Sequence, residues 1–482
     1  MIQYVMKLVA LLLCTGAIST AWSAEPVLPV CAFDVEAEGE PSTLQLAVTV
    51  RCQPHIARLE FDAADRASIH AVLTLSGAAA AETDRGWRIT DGGLRYLVDL
   101  RERVAAGGRS RDVALTNDTI MTPLDTWLGM PEPTRSENSL TVRLRVPPGL
   151  YAMHAMTPDG ADTPDTFTLS AEDLTFAGYA IFSTRPGTQI MVSGRTGSAA
   201  PITVHAAADD FAIGSPALVE WVDYFSRLSA AYWQGFPVDR LLVAILPSGK
   251  GDNVAFGRVR GGGGATLQVV VGRGATPATL YRQDWILTHE LLHLAQPNIG
   301  RDGMWLMEGM ATYVEPILRH IAGLYSADQV WREWLRGMPT GALGVNTTGL
   351  TRANPYWGGA LALLSSNVAI LQQSQGRATI TDCLRNGLQV IGNATKKAQP
   401  AALIGACDEA SGIPALSEFA KTYGSAAEFD LPKLWQKLGI SQSNKNVVFS
   451  NDAKSAALRA AILAIPQGFA PPQLPPRIAP LN

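Results

Sequence analysis

The hydrophobic period changes once along the chain, and that change constrains the fold more than any other feature. From about residue 24 to 205 apolar residues alternate with small or polar ones. Leu44, Leu46, Val48 and Val50 form one such series, and Val142, Leu144 and Val146 another. Residues 69–75, 94–100 and 175–183 read the same way, with Gly, Pro, Asp and Asn clusters between them. Alternation puts every second side chain on one face, so each run can bury one face of a strand. Many short strands with turn signals between them predict an N-terminal antiparallel β-sandwich. His55, His70 and His154 are scattered through this region and form no ligand set.

After about residue 206 the spacing becomes helical. Leu218, Val222, Phe225 and Leu228 recur on one helix face. Ser215-Pro216 predicts the start of that helix, with Ser as cap and Pro in the first turn. Thr276-Pro277 predicts another helix start, and residues 240–246 and 265–271 read as short strands. The remainder to about residue 440 is mainly helical. Six prolines lie between positions 466 and 480. Proline at that density forbids helix and central strand, so residues 441–482 are expected to form an extended tail. The expected architecture is α+β and multidomain. For 482 residues, domains of ~100–200 residues give two to four units.

Composition narrows the function classes. Hydrophobic residues make up 47% and charged residues 17%, a globular balance. A net charge of −4 is too small to point to nucleic acid or an anionic membrane surface as partner. Residues 1–23 read as a secretory signal. Lys7 supplies the positive charge, residues 8–13 the apolar run, and Ala21-Trp22-Ser23 the small residues at the cleavage spacing. An uncleaved anchor is the alternative, although the apolar run is short for a bilayer. No second run is long enough to cross a membrane, so the mature chain is expected to be periplasmic or secreted. Beyond the signal stand Cys31, Cys52, Cys383 and Cys407. Pairing of sequence neighbours gives Cys31–Cys52 and Cys383–Cys407; four buried free thiols are the other reading.

The chemistry is concentrated in Thr288-His289-Glu290-Leu291-Leu292-His293. On a helix, positions i and i+4 share a face, so both imidazoles can reach one zinc ion. Glu290 sits beside the metal without being forced to bind it, and can carry a proton. A catalytic zinc wants a third protein ligand and an open position. Met304-Trp305-Leu306-Met307-Glu308-Gly309-Met310 offers Glu308, a carboxylate in an otherwise apolar helix. Burying it without a cation would cost several kcal/mol. Asn298, Gly300, Asp302 and Gly303 supply the turn between the two helices, and Gly309 would let the second approach the first closely. Thr312 or Glu315 could orient a histidine ligand, although Glu315 could equally be a solvated end-of-helix charge.

His289-Glu290-Leu291-Leu292-His293 followed by Trp305-Leu306-Met307-Glu308-Gly309 resembles the gluzincin metallopeptidases. The nearest likeness is to the glycyl aminopeptidase family, whose members carry an N-terminal β domain. Tyr356-Trp357-Gly358-Gly359 looks like that family's Tyr-x-Lys-Gly segment. The resemblance spans roughly residues 206–440. It implies a thermolysin-like, mainly helical catalytic domain holding Zn2+ through His289, His293 and Glu308. It further implies Glu290 as general base acting on zinc-bound water, Tyr356 as oxyanion donor, and a peptide or protein substrate. Three departures stand out. The gap between His293 and Glu308 is shorter than the family's, Gly358 replaces its Lys, and no PDZ-like segment follows residue 440.

Two other classes compete with the peptidase reading. One is a non-catalytic envelope protein that keeps zinc for structure, which would have no use for Glu290. The other is a binding protein that uses exposed aromatics on the β-sandwich. The strand at 265–271 is expected along the cleft edge, with the glycines of 261–264 leaving the backbone open to a passing chain. Between Pro247 and Thr276 the acidic complement is Asp252 alone, against Lys250, Arg258, Arg260 and Arg273. That balance repels an α-ammonium group, so strict aminopeptidase activity is expected to be absent and N-terminally blocked peptides to be accepted.

Overall fold

The computed structural model describes residues 29–106, 112–443, 446–476 and 478. The signal segment at 1–23 lies outside the described residues. The N-terminal region is built on a six-stranded sheet in the order Thr166–Ser170, Ser139–Arg145, Cys31–Glu38, Gln45–Cys52, Gly93–Asp99, Ile69–Thr74. The alternating residues do turn inward: Phe33, Val35, Leu46, Val48, Val98 and Val142 are all buried. The sheet is not wholly antiparallel, because Cys31–Glu38 pairs parallel with Ser139–Arg145. Alternation reports which face is buried and is blind to strand direction. Smaller sheets of four and three strands accompany it. Tyr151 is the exposed large aromatic of this region among the described residues.

Both disulfides of the neighbour pairing are present, in place of free thiols. Cys31 and Cys52 are cross-strand partners, and Cys383–Cys407 ties Ile380–Val390 to Pro400–Ser411.

A five-stranded sheet organises the second half. Its order is Thr188–Ser193, Ala199–Ala206, Leu241–Ser248, Ala265–Gly272, Val254–Arg260. Two of these strands lie before the change of period. Their alternation marks them as strands but cannot say which sheet they join, and their Val192, Ile202 and Val204 pack into the second core. The cleft-edge strand also differs from expectation. It is Val254–Arg260, while Ala265–Gly272 is interior and paired on both sides. The glycines at 261–264 form the turn between these two strands, and they are packed rather than open. A Cβ on Gly262 would fall 1.9 Å from the Asp173 carbonyl oxygen, and one on Gly264 would fall 2.1 Å from that of Ala155. Their small size seats the turn on the N-terminal region.

Helix Ser215–Trp233 begins at Ser215 itself, with Gly214 at the cap position in a φ 77° conformation and Pro in the first turn. Met304–Ile321 crosses Pro355–Gln373 at glycine against glycine. A Cβ on Gly309 would lie 2.4 Å from the Gly359 Cα, so Gly309 serves this crossing rather than the approach to the histidine helix. The C-terminal stretch is not extended throughout. Ile440–Ser443 and Asn446–Phe449 form a hairpin, and Ala453–Ile462 is a helix. Proline enters only at Pro466, so the preceding residues are free to form regular structure. Among the described residues no helix is long and apolar enough to cross a membrane.

Candidate metal centre and active site

His289 and His293 lie on the short helix Ile286–His293, buried on every residue. Asp284 starts it: its carboxylate accepts from the backbone N–H groups of Ile286 at 2.8 Å and Leu287 at 3.2 Å. Burial pushes the Asp284 carboxyl up to about 6, the two N–H bonds opposing. Sequence reading missed this cap, although an Asp just before an apolar helix is its usual signature.

The second helix, Met304–Ile321, brings Glu308 against both imidazoles. Glu308 Oε2 lies 3.1 Å from His289 Nε2 and 3.4 Å from His293 Nε2. All three candidate ligand atoms fall within 4.8 Å of one another. Ligands held at about 2.0–2.2 Å in a tetrahedral zinc site stand roughly 3.3 Å apart, so the two distances to Glu308 suit the ion. The charge pattern fits as well. Burial works against Glu308's charge, but hydrogen bonds from His289 and His293 hold its carboxyl well below the usual range. Burial likewise pushes His289 down to about 4, which favours the neutral imidazole that binds metal. Without a metal the two imidazoles can satisfy this carboxylate as neutral Nε2–H donors, and the same three groups can turn to a metal ion.

Thr312 and Glu315 do not orient the histidines. Glu315 is committed to Arg319 at 3.0 Å, with both side chains 3% exposed. A buried arginine one turn away on the same face claims the carboxylate. Thr312 Oγ1 and both histidine Nδ1 atoms have no hydrogen-bond partner among the described residues.

Glu290 is 8% exposed and faces the edge strand. Burial pushes its carboxyl up to about 7, a value suited to accepting and returning a proton near neutrality. Its seat is Gly257, which sequence reading also missed. A Cβ there would lie 2.4 Å from Glu290 Cγ and 2.7 Å from Ile286 Cγ2. Gly257→Ala must therefore displace the carboxylate. A shift of about 1 Å in a reacting group costs about 10²-fold, and the variant should lose that much kcat/KM with its zinc content unchanged. Unaltered kinetics would show that the seat does not matter.

Tyr356 stands in the first turn of Pro355–Gln373, behind an Asn354 cap. Its ring stacks on His289 with centroids 5.9 Å apart, and it is 40% exposed. Burial, with Glu308 and Glu290 nearby, pushes its hydroxyl up to about 12, so it remains a proton donor. Tyr356 also divides the cleft. On one side a cavity of about 520 Å³ runs along the edge strand past Glu290, His293 and Met307. On the other, about 760 Å³ opens beside Trp285, His289 and Trp357.

No family model and no curated protein matches the sequence. Solved structures do. An aminopeptidase N family protein from Idiomarina loihiensis superposes with a TM-score of 0.63 at 12% identity, over 85% of this chain and 78% of that one. The chain thus shares the fold of that aminopeptidase N family protein. An M1 zinc metallopeptidase from Deinococcus radiodurans is matched at a TM-score of 0.48 and 15% identity, over 83% and 94% of the two chains.

Proposed function

We propose that this chain is a zinc metallopeptidase that hydrolyses peptide bonds without a covalent intermediate. The observation that carries this is the convergence of His289, His293 and Glu308 beside Glu290, in a cleft open on both sides. Zinc held there supplies Lewis acidity toward the scissile carbonyl and toward water. Glu290 takes the proton of the attacking water and returns it to the leaving nitrogen. The Tyr356 hydroxyl donates to the carbonyl oxygen as negative charge develops on it. The edge strand Val254–Arg260 receives an extended substrate by β-addition. On this reading the thermolysin-like catalytic part takes in the sheet from Thr188 onward. The two disulfides suit an oxidising compartment, which agrees with export to the periplasm or beyond.

Among the described residues, the cleft along the edge strand offers no spare carboxylate as an anchor for a substrate's α-amine. Its carboxylates are Glu290 and Glu308, both engaged in the reaction. The carboxylate that folds in from outside, Asp112, is held by Arg258 and Arg260. The zinc-loaded protein should therefore cut an acetylated peptide as readily as its free-amine twin. Removal of single residues from the free-amine form alone would reveal an unseen anchor. Failure to cut any member of a peptide library would end the peptidase reading.

A further inference from the structure

The edge strand carries charge at the rim of the cleft, on its face away from Glu290. Gly257 turns its missing side chain toward Glu290, so the pleat sends Phe256, Arg258 and Arg260 to the opposite face. Both arginines line the edge-strand cavity. They share one carboxylate oxygen, Asp112 Oδ1, which lies 3.0 Å from Arg260 Nη2 and also in contact with Arg258 Nη1. Among the described residues, two guanidinium groups on this one carboxylate leave an excess of positive charge, which Glu290 also feels. The next carboxyl beside Arg260 is Asp125, which burial pushes up to about 7, so near neutrality it offsets part of that charge. Arg260 is the more enclosed of the pair, at 24% exposure against 40% for Arg258. Arg258 lies 5.4 Å over the Phe256 ring, which fixes the group at the cleft wall while leaving donors for a ligand.

We propose that Arg258 is the specificity-determining residue of this cleft, and that it takes a substrate carboxylate close to the scissile bond. Asp112 and Arg260 are its positioning residues. This rests on the peptidase reading and names its substrate class: peptides with an acidic group on the edge-strand side. The carboxylate has two sources, an Asp or Glu side chain or a free C-terminus.

The test uses the zinc-loaded full chain and acetylated, amidated peptides carrying Glu, Gln or Lys at each position around the cleaved bond. At one position Glu should exceed Gln by about 10-fold in kcat/KM, chiefly through KM, and the ratio should shrink as salt rises. R258Q should bring the Glu/Gln ratio to about 1, and R258K, which keeps a point charge, should restore part of it. A neutral peptide with a free C-terminus, set against its amide, separates the two carboxylate sources. A ratio near 1 at every position, a preference for Lys, or a ratio unmoved by R258Q would overturn the proposal. The same peptides are then bound to the E290Q protein. Glu-selective binding without turnover by the native protein sinks the peptidase reading and keeps the anion site. Turnover without selectivity sinks the anion site alone.

Discussion

Glu290→Gln should keep the fold and the zinc while lowering kcat by about 10²–10⁴-fold, the usual range for a general base. The amide matches the carboxylate in shape, so it fits the seat that Gly257 leaves open. It cannot accept a proton, so the attacking water loses its base. The substitution has a second readout. Burial raises the carboxyl from 4.5 to about 7, so the stability this group contributes is fully present below 4.5 and lost as pH rises through about 7. A neutral amide has no such loss. In metal-free protein, Glu290→Gln should therefore melt above the native chain at alkaline pH, and the gap should close under acid conditions. Turnover at the native rate would remove Glu290 from the mechanism. A melting difference independent of pH would mean that its carboxyl titrates normally.

The candidate site is legible in the sequence where its chemistry is local. His289 and His293 are placed by helical spacing alone, and Glu308 declares itself by interrupting an apolar helix. Features that depend on distant contacts were not legible. Asp112 reaches Arg258 across a separation of 146 residues, and nothing in either neighbourhood announces the pairing. The edge strand was hidden by its own arginines. Val254, Phe256, Arg258 and Arg260 alternate as a strand should, but charge at the outward positions and a glycine opposite them removed the apolar signal. Gly257 and the glycines at 261–264 carry two different constraints, one a seat for a carboxylate and one a docking turn. Composition shows only that glycine is frequent there. The strands at Thr188–Ser193 and Ala199–Ala206 were legible as strands, but sheet membership is a long-range property that alternation does not encode.

Removing a ligand should act differently from removing the base. The native protein is expected to carry about one zinc per chain, held by three protein groups. His293→Ala deletes one donor from a cluster whose atoms all lie within 4.8 Å. The remaining pair, His289 and Glu308, is still 3.1 Å apart and can hold each other through a shared proton. Such a pair satisfies itself without a metal, so zinc content and hydrolysis should fall together to background. Chelation of the native protein should produce the same loss, and added zinc should restore activity to the chelated protein but not to His293→Ala. Fold is expected to survive, because the helix is pinned independently by the Asp284 cap and by Leu287, Leu291 and Leu292 in the core. Circular dichroism and metal analysis on the same sample separate these outcomes. A His293→Ala protein that retained one zinc and native turnover would show that the ligand set lies elsewhere.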